Sequence, residues 1–261
     1  MSRYDPNKTM VIRTVAPGLT LFSMPFLRFN RIKFGIRATA IKLTSGNLAI
    51  FSPVPWTNEI GRTITTLGGN VNYLIAPDIE HHLSLGAWKK EYPNAMVIGP
   101  EGLREKRAKQ GNEDVPIDII YTKQGKRDVK LPEELARDVE IEYMDGHGNK
   151  EICLFHKSTR TLIAADVIFN LPPKVQWSKV EHDQTGWFWN KLANLFTTTQ
   201  GKGQQRFVWY ALARDKPSVA QSARIISAWD FDRLIPAHGD VIETGGKEVF
   251  NRMYGWLMER M

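Results

Sequence analysis

The sequence predicts an α/β fold, and three observations predict it. Short alternating or wholly apolar segments of strand length recur along the chain, from Val11 to Ile235. Segments with helical spacing of apolar residues stand between them. The breaks carry Pro-Gly, Ser-Gly-Asn and Gly-Gly signals. Strands precede helices in each half, and no compositional linker divides the chain. A single layered α/β domain over residues 1–261, with two or four layers, follows from this order.

The elements are legible in turn. "MVIRTVAPGLTLFSMPF" holds two short strands around the Pro17-Gly18 turn. "GIRATAIKLTSGNLAIFSP" alternates, with Ile36, Ala38, Ala40 and Ile41 toward a core. Ser45-Gly46-Asn47 then turns the chain into Leu48 to Phe51, a hairpin signal. Thr57 is placed to cap a helix carrying Ile60, Ile64 and Leu67, with Gly68-Gly69 as its stop. A strand from Val71 to Ala76, a helix from about Ile79 to Glu91 and a strand from Ala95 to Gly99 come next. Ile117–Tyr121 and Val139–Tyr143 read as strands. "EICLFHKSTRTLIAADVIF" reads as a hairpin turning at Lys157 to Arg160. Residues 171–207 differ, being rich in Trp and Phe and in loop residues, and read as an insertion or lid. A helix from about Pro217 to Trp229, a short strand in "FDRLIPAHGDVI" and a helix from Gly245 to Arg260 close the chain.

Bulk properties limit the function classes. No apolar run approaches the roughly 18 residues that span a bilayer, and "MSRYDPNKTM" lacks the apolar segment of a signal peptide. Cys153 is the only cysteine, so no intrachain disulfide forms, and a cytoplasmic location is expected. Net charge is +7, which admits an acidic partner. The densest basic runs, Arg104 to Lys109 and Lys123 to Lys130, contain acids and little aromatic surface. No nucleic acid is therefore expected as a partner. A small-molecule substrate is expected instead.

Four clusters place metal-competent side chains just after an apolar strand: "APDIEHH", "MDGHGNKEICLFH", "LIAADVIFN" and "LIPAHGDVI". Strand ends are where ligands converge in α/β folds. Asp166 would be costly to bury unless paired or bound to a cation. His147 and His238 are flanked by glycine, which permits tight turns and close backbone approach. Imidazole with carboxylate suits zinc, iron or manganese. Each cluster also reads as ordinary structure: a hydrogen-bonded loop histidine, a helix-capping Asp, or an exposed helix start at His81 and His82. His156 and His182 sit in no strand-end motif. The order of the clusters makes one shared site the more economical account.

In that order the chain resembles the metallo-β-lactamase fold superfamily, of the glyoxalase II and lactonase type. Within it, the chain is most similar to a branch with "SP…AP(N/D)xxHHxxxxxWxxxYP" early and "PAHGD" late. Here these read "FSPVPW" (Phe51 to Trp56), "APDIEHHLSLGAWKKEYP" (Ala76 to Pro93) and "IPAHGDVI" (Ile235 to Ile242). The resemblance runs from about Gly18 to Trp256. It implies an αββα four-layer sandwich, two mixed β-sheets between outer helices.

The resemblance also implies a site. The superfamily motif His-x-His-x-Asp-His puts its first two histidines on Pro77 and Ile79, which cannot bind metal. Its Asp falls on His81 and its last His on His82. The later ligands match His147, Asp166 and His238. One metal position thus keeps only His147 and Asp166 and is expected to be empty. The other keeps His81, His82, Asp166 and His238 for one divalent metal, zinc foremost, with iron or manganese as alternatives.

Asp166 and His147 are the expected catalytic residues, His147 being freed for acid–base work or a hydrogen bond to substrate. Asp78, Glu80 and Asp240 are placed to orient the histidines. Trp177, Trp187 and Trp189 of the insertion are expected to wall a pocket for an apolar or aromatic substrate; core packing under a lid is the plainer account of them. A surface role at a membrane is not expected from Trp189 and Lys191, which do not extend into a long basic face. The implied activity is metal-dependent hydrolysis of a small ester, lactone or thioester. A metal-free ligand-binding protein, a lyase, isomerase or cyclase, and a phosphodiesterase are the rivals.

Overall fold

The computed structural model describes residues 3–112, 115–180 and 185–261. Helix α1 (Pro6–Thr9) is capped by Asp5, whose side chain accepts from the N–H of Asn7. Strands β1 (Val11–Ala16) and β2 (Leu19–Met24) form the first hairpin. The short pair β3 (Leu27–Arg28) and β4 (Ile32–Lys33) stands apart as its own two-stranded sheet. Then follow β5 (Ile36–Lys42), β6 (Leu48–Phe51), α2 (Asn58–Leu67), β7 (Val71–Ile75), α3 (Leu85–Glu91), β8 (Met96–Pro100), α4 (Leu103–Lys109) and β9 (Ile119–Tyr121). These complete a seven-stranded sheet in the order β1-β2-β5-β6-β7-β8-β9, antiparallel as far as β6 and parallel beyond it.

The second half adds α5 (Glu133–Asp138), β10 (Val139–Met144), β11 (Glu151–His156) and β12 (Thr161–Ala164). After them come α6 (Trp187–Thr197), α7 (Gly203–Phe207), α8 (Lys216–Ala228), β13 (Arg233–Pro236) and α9 (Gly246–Arg260). Strands β10-β11-β12-β13 make a four-stranded sheet. A π-helical turn over Val208–Leu212 joins α7 to the approach of α8.

Three apolar clusters make this a four-layer αββα sandwich. Strand residues alternate between faces, and the faces sort cleanly. Leu21, Phe51, Ile75 and Ile98 of the large sheet meet Ile152, Leu154, Ile163 and Ile235 of the small one. The other face of the large sheet, with Phe22, Ile50 and Leu74, packs on Ile60 and Ile64 of α2, Trp88 of α3 and Leu103 of α4. The other face of the small sheet, with Phe155, Leu162 and Leu234, packs on Val219 and Ala223 of α8 and on Phe250 and Tyr254 of α9. Each fully buried side chain of this kind contributes about 1.5–3 kcal/mol. Among polar residues Arg37 bridges the sheets: buried, it donates to Ser23 Oγ at 3.0 Å and to the carbonyl of Pro236, beside the site described next.

The start signals at Thr57 hold, with its side chain accepting from the N–H of Ile60. One boundary differs from expectation. The helix expected from Ile79 begins only at Leu85. Asp78, fully buried, accepts from the N–H groups of Glu80 and His81 at 2.7 and 2.8 Å. Those side-chain bonds compete with the helical ladder and hold the segment as a loop. Residues 181–184 of the insertion, His182 included, lie outside the described residues.

Candidate metal centre

The topology brings the motif loops to one place. β10 and β11 are antiparallel, as are β11 and β12, and β12 and β13 are parallel. The C-terminal ends of β10, β12 and β13 therefore lie along one edge, followed by His147, Asp166 and His238 respectively. His81 arrives from the other sheet, on the loop after β7. The turn at His238 depends on Gly239, whose φ is +96° and whose Cβ position lies 2.1 Å from the carbonyl oxygen of Asn170. A side chain there would force the loop off the sheet.

Donor atoms of His81, Asp166 and His238 lie within 4.8 Å of one another. His238 Nε2 is 3.0 Å from His81 Nε2 and 3.1 Å from Asp166 Oδ1. Each ring is held from behind. His81 Nδ1 donates to Asp78 Oδ2 at 2.8 Å, and His238 Nδ1 donates to the carbonyl of Gly35 at 2.6 Å. A carboxylate and a carbonyl only accept, so each Nδ1 carries the proton and each Nε2 faces inward. This is how imidazoles are presented to metals. Phe169 stacks on His238 with ring centroids 5.7 Å apart, and Phe34 meets the same ring edge-on.

Asp166 is fixed as firmly. Asn149 Nδ2 donates to its Oδ2 at 2.6 Å. Its own N–H and that of Ala165 donate to the two oxygens of the buried Glu151 at 2.7 and 2.6 Å. Burial, with Asp78 and Asp166 nearby, pushes the Glu151 carboxyl well above its usual range. Burial lowers the pKa of His81, yet Asp78 and then Asp166 outweigh it together and push it up to about 10. Burial likewise opposes ionisation of Asp166, but His81 and His238 hold its carboxyl below the usual range. The cluster is thus an environment that favours positive charge among its rings. Two imidazole nitrogens and one carboxylate fit zinc, with other coordination positions left open, and equally the ligand set of non-haem iron.

His147 sits at 2% exposure outside this trio. Its Nδ1 accepts from the N–H of Asn149 at 3.3 Å, and its Nε2 has no hydrogen-bond partner. Burial lowers its pKa, and an Nδ1 that accepts leaves Nε2 as the protonated nitrogen of the neutral ring.

Several expected roles are not met by the geometry. His82 does not join the donor group. Its Nδ1 lies 3.4 Å from the Arg107 guanidinium, which also donates to its carbonyl at 2.8 Å. Burial and then Arg107 push its pKa down to about 4. Glu80 turns away from both histidines to pair with Lys106 and, at 3.7 Å, with Arg28. Asp240 accepts from the N–H of Val175 at 2.9 Å, and Gly35 takes the place expected for it behind His238. Asp78 alone of the three touches a site histidine. His156 is tied to its own turn through Thr159.

A cavity of about 810 Å³ opens onto His81, Asp166 and His238. Its walls are mainly apolar: Phe26, Ile32 and Phe34 from one side, Phe169 and Phe207 from the other, and Phe196 of α6 as a cover. The insertion thus reaches the cavity through phenylalanines. Trp177 packs beneath, edge-on to Tyr4 at 5.0 Å and under Lys33. Trp187 and Trp189 are exposed, because α6 is held inward through Asn190, whose side chain accepts from the N–H of Lys33 at 2.7 Å. Asn149, Gly35 and Phe169 carry no site role in the sequence reading, and Phe196 enters it only as one aromatic of the insertion. Asn149 follows "GHG" by one residue, which was the one available signal.

Residues 27–103 match the model of a domain of unknown function (DUF4336). No curated protein matches the sequence significantly. Among solved structures, DIM-1 metallo-β-lactamase exposed to ceftazidime is 12% identical with a TM-score of 0.63, covering 98% of this chain and 100% of its own. FIM-1 metallo-β-lactamase from Pseudomonas aeruginosa, in its mono-zinc form, is 11% identical with a TM-score of 0.57, covering 98% of each chain. The metal-soaked Flv1 flavodiiron core from a Synechocystis species is 16% identical with a TM-score of 0.61, covering 97% of this chain and 62% of that one. At these identities the likeness is one of fold.

Proposed function

From a metallo-β-lactamase fold that carries one cluster of metal donors among the described residues, we infer a metal-dependent hydrolase. Its substrates are small apolar esters, lactones or thioesters. The observation that carries the reading is the pair of inward-facing Nε2 atoms beside Asp166 at the base of an apolar cavity. His81, Asp166 and His238 would hold one divalent ion. Bound there, such an ion supplies Lewis-acid activation of a carbonyl or of water.

The chain's own residues supply the rest. Asp78 and the Gly35 carbonyl lock the two rings so that neither must reorganise during turnover. Asn149 holds Asp166 and, through its backbone, fixes the tautomer of His147. His147, whose Nε2 is buried and which is not among the residues lining the cavity, reaches the site only through Asn149. The phenylalanine walls exclude water and select an apolar acyl group. Pro77 and Ile79 offer no second set of donors, which disfavours phosphodiester cleavage by two ions.

A second reading has a specific support. Asp78 pairs directly with the His81 ring at 2.8 Å and Asp166 with the His238 ring at 3.1 Å, as a metal-free ligand-binding protein would require. Hydrolysis of p-nitrophenyl esters and lactones, lost on chelation and restored by zinc, iron or manganese, supports the hydrolase. Activity that survives chelation, or that appears only with bis-p-nitrophenyl phosphate, counts against it.

A further inference from the structure

Helix α6 is built inside out. Of its residues only Thr197 is buried. Its inward side carries Asn190, Ala193 and Thr197, and Asn190 makes the anchoring bond to Lys33. Trp187, Phe188, Lys191, Leu192 and Leu195 fall at i, i+1, i+4, i+5 and i+8 and share the outward side. Trp187 is 71% exposed, Phe188 61% and Leu195 60%. Two exposed loop residues line the cavity that α6 covers: Phe29 at 73% and Leu83 at 70% exposure. An exposed apolar helix face of this kind marks a binding face.

The charge around it identifies the occupant. The segments 26–34 and 186–203 contain no acidic residue. Their cations lie against the exposed rings: Arg28 over Phe29 at 4.9 Å, Lys191 over Trp187 at 5.9 Å and Arg31 over Trp189 at 6.0 Å. Trp and Phe interleaved with Lys and Arg is the composition of surfaces that settle at the boundary of an anionic bilayer. A second copy of a chain bearing the same positive patch would repel it.

We propose that α6, with Phe29 and Leu83, docks this protein on an anionic membrane surface, with the mouth of the cavity facing the lipid. The basic face that α6 lacks by itself is completed from the β3–β4 hairpin by Arg31, and by Arg28, which also lies 3.7 Å from Glu80. The consequence that substrates are lipophilic and enter from the bilayer rests on the hydrolase reading above; the docking itself does not.

Vesicle co-sedimentation of the full chain tests it without reference to metal or activity. Binding to phosphatidylcholine vesicles containing phosphatidylserine is expected, weaker with phosphatidylcholine alone and falling as salt rises. The double variant Phe188→Ser, Leu195→Ser is expected to lower partitioning about tenfold or more, and Lys191→Ala with Arg31→Ala to remove the preference for phosphatidylserine. Both sets lie on the surface, and circular dichroism checks their folding. Wild-type protein that stays in the supernatant with anionic vesicles overturns the proposal. So does a dimer that the double variant dissociates, since a second copy would then be the occupant.

Discussion

His81 and His238 face each other through their Nε2 atoms at 3.0 Å, while both Nδ1 atoms are already committed, to Asp78 and to the carbonyl of Gly35. Two lone pairs cannot sit at that distance without a positive charge to separate them. A proton on His81 or a cation shared by both rings satisfies the geometry, and Asp166 Oδ1 at 3.1 Å from His238 is placed to join either. The site is therefore poised for a cation whichever occupies it.

Asp78 is the residue on which that arrangement turns. It is fully buried and bonds both the backbone and the ring of His81. Asp78→Asn is expected to weaken metal affinity roughly 10–100-fold, as loss of an outer partner does. Chelator competition reads this directly. Glu80→Gln, which removes only the pairing with Lys106 and Arg28, is expected to leave the affinity unchanged.

His82 separates sequence position from function. Its ring faces Arg107 and not the donor cluster. His82→Ala is expected to retain full metal content and to lose about 1–3 kcal/mol of stability from disturbed buried packing and hydrogen bonding. Metal analysis with urea unfolding distinguishes this from the ligand role that its place in the motif implies.

The cover of the cavity offers a test of the proposed acyl selectivity. Phe196 of α6 lines the pocket together with Phe207 and Phe169. Phe196→Ala is expected to raise KM for long-chain p-nitrophenyl esters roughly tenfold relative to the acetate, with a smaller change in kcat. Equal effects on both substrates would place Phe196 outside substrate binding.

One carboxylate far from the site contributes to acid stability. Burial opposes ionisation of Glu134, but hydrogen bonds from Ser45, Asn72, Asn47 and Tyr73 hold its carboxyl down at about 2. A depressed pKa stabilises the fold above the ordinary value of about 4.3, and that contribution is lost as pH falls toward 2. Wild-type stability is expected to decline across this window, and Glu134→Gln to flatten the decline. Denaturant unfolding from pH 6 downward, in about unit steps, measures it.

Much of this was legible in the sequence. The alternation in "GIRATAIKLTSGNLAIF" correctly groups Ile36, Ala38 and Ala40, which face α2 and α3, but Ile41, expected with them, faces the other sheet. Strand ends in order picked out His81, Asp166 and His238, which the fold draws together, and His147, which falls outside that trio. Adjacency hid the rest: His81 and His82 are chemically identical neighbours, and only Asp78 on one side and Arg107 on the other tell them apart. The tryptophans of the insertion misled for a related reason. Aromatic content predicts a pocket wall only if the helix turns that face inward, and the bond from Lys33 to Asn190 turns it out. Partners contributed by backbone, such as Gly35, leave no mark in residue type.

Above all, His81, Asp166 and His238 are proposed to hold one divalent ion. Elemental analysis of protein purified without added chelator, beside His81→Ala and Asp166→Ala, tests it most directly. About one equivalent of zinc, iron or manganese is expected in the wild type, with its loss from both variants. A wild-type protein that binds no metal, even after reconstitution, or variants that keep it, would contradict the claim.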